Sequence, residues 1–318
     1  MNHPEPGSKP FAPPPQLHKV RVAPARYPLR WLTAAIALAI VLFIVVSFAI
    51  SPNIDWKVVR DYFLDGTILS GIELTLILTV ASMIVGIAGG VLLAVMRLSD
   101  NLVLNAISMG YVWLFRATPL LIQIILWYNL SLVFPHLGLA IPTIGINWTV
   151  STNAVITPVS AAILALGLNE SAYMAEIVRG GIISVAHGQG EAATALGMTK
   201  GRAMWSVVLP QSVRSIIPPT GNQLIGMLKN TSLVSVIAAR ELLTAAQQIY
   251  SANFYTIELL FVASAWYLII TSATSVGQIH LERRFAEVNR VGQRSFLDSV
   301  AFTLSRIGRK RYIEVAKW

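Results

Sequence analysis

The sequence has no cysteine among its 318 residues. That absence removes disulfides, thiolate metal sites, iron–sulfur clusters and cysteine nucleophiles together. Charge is scarce as well: 12% of residues are Asp, Glu, Lys or Arg, about half of the ~25% usual in soluble domains. Hydrophobic residues make up 55%, and the mean hydropathy is +0.64. A soluble domain pair, which the length alone would allow, is excluded, and so is a disordered chain. Catalytic signatures are also missing. There is no Gly-x-x-x-x-Gly-Lys-Ser/Thr phosphate loop, no His-Glu-x-x-His and no Gly-x-Ser-x-Gly. His3, His18, His136, His187 and His280 have no partners at metal-ligand spacing. We assign no catalytic residue and no metal ligand.

What the chain does have is long apolar runs. Residues 31–50 carry no charge, and twenty helical residues cross the ~30 Å hydrocarbon core. Further apolar runs cover 67–96, 105–134, 153–178, about 216–238, and 256–279. The pattern predicts an all-α, polytopic membrane helix bundle of about six transmembrane helices. Arg116, Thr118 and Pro119 fall within the third run, read as one span. Pro210, Arg214, Pro218 and Pro219 interrupt the approach to the fifth, so that helix is expected to begin or kink at the prolines. Gly86, Gly89 and Gly90 include a small-xxx-small pair suited to close helix contact.

The net charge of +9 is confined to the ends. Residues 1–30 and 281–318 hold the whole excess, whereas the 250 residues between them hold ten basic and ten acidic side chains. Basic tails can bind nucleic acid, but flanking an apolar block they follow the positive-inside rule. Both termini are therefore expected in the cytoplasm, with no nucleic-acid partner. Residues 1–30 read as a disordered, basic, proline-rich leader, 31–50 as an extra N-terminal span, and 286–318 as a basic cytoplasmic tail. Within that tail, 296–307 is a candidate amphipathic segment for the membrane surface. The loops at 51–66, 135–152 and 240–256 face outward.

Hydropathy breaks over 179–203. The centre of this loop reads Glu191-Ala192-Ala193-Thr194-Ala195-Leu196-Gly197, with Leu209-Pro210 twelve residues on. It predicts a short helix with small residues on one side. Gly197 is suited to a left-handed cap, and Glu191 near the helix start favours the helix dipole.

Glu-Ala-Ala-x-x-x-Gly followed by Leu-Pro resembles the EAA loop of ABC-importer permeases. Four more segments extend the likeness. Phe115-Arg116-Ala117-Thr118-Pro119-Leu120-Leu121 resembles an Arg-Gly-Thr-Pro-Leu segment, with Ala117 in place of the common glycine. Residues 169–182, containing Ala172-Tyr173-Met174-Ala175-Glu176 and Arg179-Gly180-Gly181-Ile182, resemble the Ala-Tyr-x-x-Glu-x-x-Arg-Gly-Gly-Ile run. Gly188-Gln189-Gly190-Glu191-Ala192-Ala193 and Leu228-Lys229-Asn230-Thr231-Ser232-Leu233 complete the set. Together they resemble the polar amino acid (histidine/glutamate/glutamine/arginine/opine) permease family over about residues 67–285, with the EAA loop at about 180–203.

The resemblance implies the type I importer fold in a bacterial inner membrane. It implies two cytoplasmic ATPase subunits that hold the ATP and magnesium, a second permease subunit, the same or related, and an extracytoplasmic substrate-binding protein. This chain itself would carry no cofactor and no enzymatic activity. By the same resemblance the EAA helix is the coupling helix, with Gly190, Glu191, Ala192, Ala193, Leu196 and Gly197 docking on the ATPase. An ion-gradient-driven secondary transporter is the alternative, but it would show repeated halves and often ten or more spans.

Ionisable groups inside a bilayer are costly and mark functional positions. Glu170 and Lys229 qualify, either paired with one another or facing the path, and Asn222, Gln223 and Asn230 add polar groups beside Lys229. These five are the substrate-path candidates. Arg116 is expected near the cytoplasmic end, where it could snorkel.

Overall fold

The computed structural model describes residues 17–22, 28–141, 146–286 and 311–316. The chain divides into two units, one made of Met1–Ser51 with Arg290–Trp318, the other of Pro52–Asn289. In the first, β1 (Leu17–Val22) pairs antiparallel with a strand at Arg311–Ala316, and α1 (Pro28–Ala49) is an apolar helix of 22 residues. The leader expected to be structureless over 1–30 thus contains a strand and the start of a helix. The candidate amphipathic segment at 296–307 lies outside the described residues.

The second unit is the helical bundle. Asp55 caps α2 (Trp56–Phe63), its carboxylate accepting from Lys57 N at 2.9 Å. Asp65 caps α3 (Gly66–Arg97) by accepting from Thr67 N at 2.8 Å. Asn101 caps α4 (Leu102–Ala117). These short polar side chains satisfy first-turn N–H groups that have no intrahelical partner. α5 (Leu120–Tyr128) follows α4 after a bend of 102°. A hairpin of β2 (His136–Ile141) and β3 (Ile146–Ser151) leads to α6 (Thr152–Val155). α7 (Pro158–Ile183) begins with a capping box between Thr157 and Ser160, and with proline in its first turn.

After α7 come α8 (His187–Ala195), α9 (Lys200–Ala203), a π-helical segment at Met204–Val208, α10 (Leu209–Asn230), a 3₁₀ segment at Thr231–Ile237, α11 (Leu242–Asn253) and α12 (Thr256–Ala286). Among the described residues, four helices (α1, α3, α7 and α12) are long and apolar enough to cross a membrane, and the bent α4–α5 pair counts as a fifth if it is taken as one broken span. α10 has the length, at 22 residues, but its prolines, asparagines, Arg214 and Lys229 lower its hydropathy. Its place in the bundle comes from packing: Ser184 Oγ donates to Ser215 Oγ at 3.1 Å, and Gly181 of α7 faces Ile216.

The core is the seam between α3 and α7, which run in the same direction. A Cβ on Gly86 would lie 2.6 Å from Glu170 Cγ, and one on Gly167 would lie 2.7 Å from Val85 Cγ1. Gly89 faces Ser171 and Gly90 faces Met174 in the same way. The glycines singled out in the sequence therefore do permit close approach. A buried cluster at one end joins Leu78, Ile124, Ala161, Ala165, Leu166, Val234 and Ile237. Another joins Ile68, Leu242, Ala245, Leu259 and Val262, where α11 and α12 meet α3.

Four sequence expectations need correction. The run at 105–134 is not one continuous helix: it is broken at Thr118-Pro119, with a bend of 102° between α4 and α5. The fifth helix starts at Leu209 and carries Pro218 and Pro219 inside it; its continuation to about 238 is 3₁₀ rather than α-helix. The polar stretch 240–256 contains α11, docked on α3 through Gly71 and through Leu242 N, which donates to Thr75 Oγ1 at 3.1 Å. The loop at 135–152 holds a strand hairpin.

Candidate functional site

The loop after α7 folds into a helix whose end is set by glycine. α8 stops where Gly197 takes φ +82°. Gly197 N donates to Thr194 O at 3.0 Å, and Met198 N to Ala193 O at 3.1 Å. This reciprocal pair is a Schellman motif, so the cap expected at Gly197 is present. Thr199 then caps α9, with Arg202 N donating to its Oγ1, and Gln211 Nε2 reaches Gln189 Oε1 at 3.4 Å to tie α8 to α10.

The six residues singled out here fall on one short helix and its stop. Ala193 is buried, at 4% exposure, whereas Leu196 is 84% exposed. Glu191 and Ala192 are exposed, and Gly190 is half-buried. A Cβ on Gly190 would meet nothing within 4 Å. Among the described residues nothing requires Gly190 to be small and nothing covers Leu196. Glu191 lies in the second turn of α8, since the helix begins at His187. The dipole argument based on a first-turn position therefore does not apply.

The polar positions in the spans separate into two places. Glu170 is 5% exposed in the α3–α7 seam, and its Oε1 has no hydrogen-bond partner among the described residues. Lys229, Asn230 and Asn222 are exposed on α10, and Gln223 is half-buried. Asn222 Oδ1 accepts from Gln278 Nε2 of α12 at 3.0 Å. Asn222 and Lys229 stand seven residues apart and so share a helix face. Among the described residues the only salt bridge joins Arg179 and Glu176, at 2.7 Å; Glu170 and Lys229 do not pair. Arg116 ends α4 level with Asn169, whose Nδ2 donates to the carbonyl of the adjacent Phe115, and its guanidinium lies 5.2 Å from the Tyr173 ring centroid. It therefore lies level with the middle of α7 and covers an aromatic face.

Two polar arrangements were not found from the sequence. Glu241, fully buried, caps α11 by accepting from Leu243 N and Thr244 N, and also accepts from Thr244 Oγ1 and from Tyr267 Oη at 2.8 Å. Gln123 and Asn169 are also buried, and their amides meet at the α4–α5 break. The available signal was a glutamine four residues after a proline inside an apolar run.

Residues 86–287 match the family described as binding-protein-dependent transport system inner membrane component. The arginine transport system permease protein ArgU of Corynebacterium glutamicum is 41% identical over 267 residues, covering 84% of this chain and 83% of that protein. The nopaline transport system permease protein NocM of Agrobacterium fabrum is 39% identical over 208 residues, 65% of this chain and 83% of its own. A crystal structure of an amino acid ABC transporter with histidines superposes with a TM-score of 0.59 at 35% identity, covering 69% of this chain and 94% of that one.

Proposed function

The chain belongs to the family of binding-protein-dependent transport system inner membrane components, and from that premise we propose that it is the permease of an ATP-driven importer of polar amino acids, coupled to its ATPase through α8. The family membership makes it a multi-pass inner-membrane transport subunit and not an enzyme. The cargo, the coupling residues, the partners and the membrane orientation are our reading. Arginine is the first cargo to test, because an arginine permease is among the most similar relatives.

The observation that carries the coupling role is the exposed face of α8. It presents Glu191, Ala192 and Leu196 outward beside a glycine with open space around it. A small-residue helix of this kind fits a cleft in a second protein, with Glu191 available to a cation there and Leu196 to an apolar pocket. The cleft belongs to a cytoplasmic ATPase dimer that holds ATP and magnesium. α8 is then cytoplasmic, as are both termini, in keeping with the basic ends. A second permease subunit completes the pathway, and an extracytoplasmic binding protein delivers the cargo. Closure of the ATPase dimer draws the two coupling helices together and turns the pathway outward; hydrolysis resets it. Glu170, Asn222, Gln223, Lys229 and Asn230 remain the candidate path residues, with the exposed face of Asn222 and Lys229 lining it. Glu170 is sealed in the α3–α7 seam here.

The test is co-purification of the tagged protein with its ATPase, followed by ATP hydrolysis with and without the binding protein and arginine. Glu191→Ala and Gly197→Asp are compared with wild type. Stimulation by the loaded binding protein, lost in both variants, supports the reading. Absence of any associated ATPase, with uptake following a proton or sodium gradient, overturns it in favour of a secondary transporter.

A further inference from the structure

Pro119 has no N–H. In a continuous helix that N–H would bond the carbonyl of residue 115. A backbone carbonyl freed inside a helical bundle needs another donor. The Phe115 carbonyl has two. Gln123 Nε2 donates to it at 2.9 Å, and Asn169 Nδ2 donates at 3.0 Å. The same Gln123 nitrogen lies 2.7 Å from Thr118 Oγ1 and 3.1 Å from Thr118 O. Asn169 Nδ2 is also 3.1 Å from Gln123 Oε1, which links the two amides. Both side chains are more than nine-tenths buried, at 6% and 8% exposure. One belongs to α5 and the other to α7, so the repair of the α4 end is made from two other helices.

We propose that Gln123 and Asn169 are positioning residues of the transport cycle: they form a clasp that replaces the bond Pro119 removes, fixes the 102° bend between α4 and α5, and holds Arg116 against Tyr173 of α7. The transport role rests on the permease reading above; the clasp itself rests on the geometry. A bend held by side-chain amides can be released by a change of rotamer, whereas a bend held by the backbone ladder cannot. Tyr111 adds a second tie between α4 and α7, its Oη donating to Leu168 O at 2.9 Å. Loosening the clasp therefore frees the α4–α5 corner while α4 stays attached to the bundle.

The chain has no cysteine, so spin labels can be placed on Trp113→Cys and Leu126→Cys alone. Both positions are exposed, one on α4 and one on α5. In a continuous helix they would stand about 20 Å apart along the axis; the bend changes that separation. The full-length protein is measured in its ATPase complex in lipid nanodiscs, with ATP hydrolysis followed in parallel with and without binding protein and arginine. We expect one narrow distance distribution in the otherwise wild-type chain, and a broad one in Gln123→Leu. Asn169→Leu broadens it less, since Gln123 still serves Phe115. Stimulated hydrolysis falls at least tenfold in Gln123→Leu while the complex still assembles. Pro119→Ala with Gln123→Leu restores an N–H to the Phe115 carbonyl, so this pair gives a narrow distribution again at the straight-helix separation, without recovery of stimulation. If Gln123→Leu does not fold, Asn169→Leu decides: a broader distribution than wild type supports the clasp, and an unchanged one overturns it. A wild-type distribution in Gln123→Leu, an unshifted one in the pair, or full stimulation from a straightened pair overturns the proposal. If the wild type shows no stimulation, the importer reading fails, and the label distances still decide whether the clasp sets the bend.

Discussion

Gly197 is the position where a backbone angle bears most directly on the coupling helix. Its φ is +82°, and a Cβ added there would meet nothing within 4 Å. Substitution is therefore free of clash, and its cost is the left-handed backbone alone, about 1–2 kcal/mol for a residue with an ordinary Cβ. α8 has nine residues, below the ~12–15 at which isolated helices become even marginal in water. Its population thus depends on its cap, and 1–2 kcal/mol lowers the folded-to-unfolded ratio of the loop by roughly 5–30-fold. Asparagine visits the left-handed region more readily than alanine. The expected order of α8 protection is Gly197 wild type, then Asn, then Ala, then Val. Hydrogen exchange on the α8 amides reads the order directly, and binding-protein-stimulated ATP hydrolysis should follow it. Gly190→Ala is the control: its environment is open, and alanine in a helix interior stabilises by about 0.8–1 kcal/mol over glycine. It should raise α8 protection while lowering ATPase coupling, because the added methyl enters the docking face. Equal exchange rates across the Gly197 series would refute the reasoning about the cap. Unimpaired coupling in Gly190→Ala would refute close approach at that face.

Gly86→Val should destabilise the bundle by about 1–3 kcal/mol through overpacking, since its Cβ would fall 2.6 Å from Glu170 Cγ; thermal unfolding in detergent would show a lowered midpoint, and an unchanged midpoint would argue that the seam has slack. Glu241→Ala removes the acceptor of four hydrogen bonds at a fully buried site. The lost cap alone costs about 0.5–2 kcal/mol, and the stranded Tyr267 hydroxyl adds to it, so a loss of only a few tenths on unfolding would contradict this account. Lys229→Met and Glu170→Gln, assayed for uptake in intact cells at matched expression, should both lower transport. Normal uptake by both would remove them from the mechanism.

The parts legible in the sequence were those governed by one segment at a time. Apolar length located the long helices α1, α3, α7 and α12. The glycines at 86, 89 and 90 announced a close contact, and Gly197 announced a helix stop, because in each case the residue type is dictated by local sterics. The parts that were not legible depend on distant partners. Near Pro119 only Gln123, four residues on, hints that its break will be stabilised, since the other half of the repair comes from Asn169, fifty residues on. Pro218 and Pro219 looked like a helix start, yet α10 runs through them; Gln278 Nε2 of α12 reaches the Pro218 carbonyl at 3.3 Å beside them. α11 was hidden because a short helix with mixed polarity resembles a loop until its apolar side meets α3. Glu170 and Lys229 stand out in the sequence as charges within apolar runs, but spacing in sequence gives no means of deciding whether they meet, and in the structure they do not pair.

The α3–α7 seam has a practical consequence. Its contacts advance together along both helices, from Gly167 against Val85, to Gly86 against Glu170, to Gly90 against Met174. Sliding either helix by even one residue would drive side chains into positions with room only for hydrogen, much as a toothed rack cannot shift by a fraction of a tooth. The pair therefore offers a fixed datum inside a protein whose task is to move. Displacements of the α4–α5 corner, of α10 and of α8 can all be surveyed from labels on these two helices, whose mutual distance should stay the same in every state of the cycle.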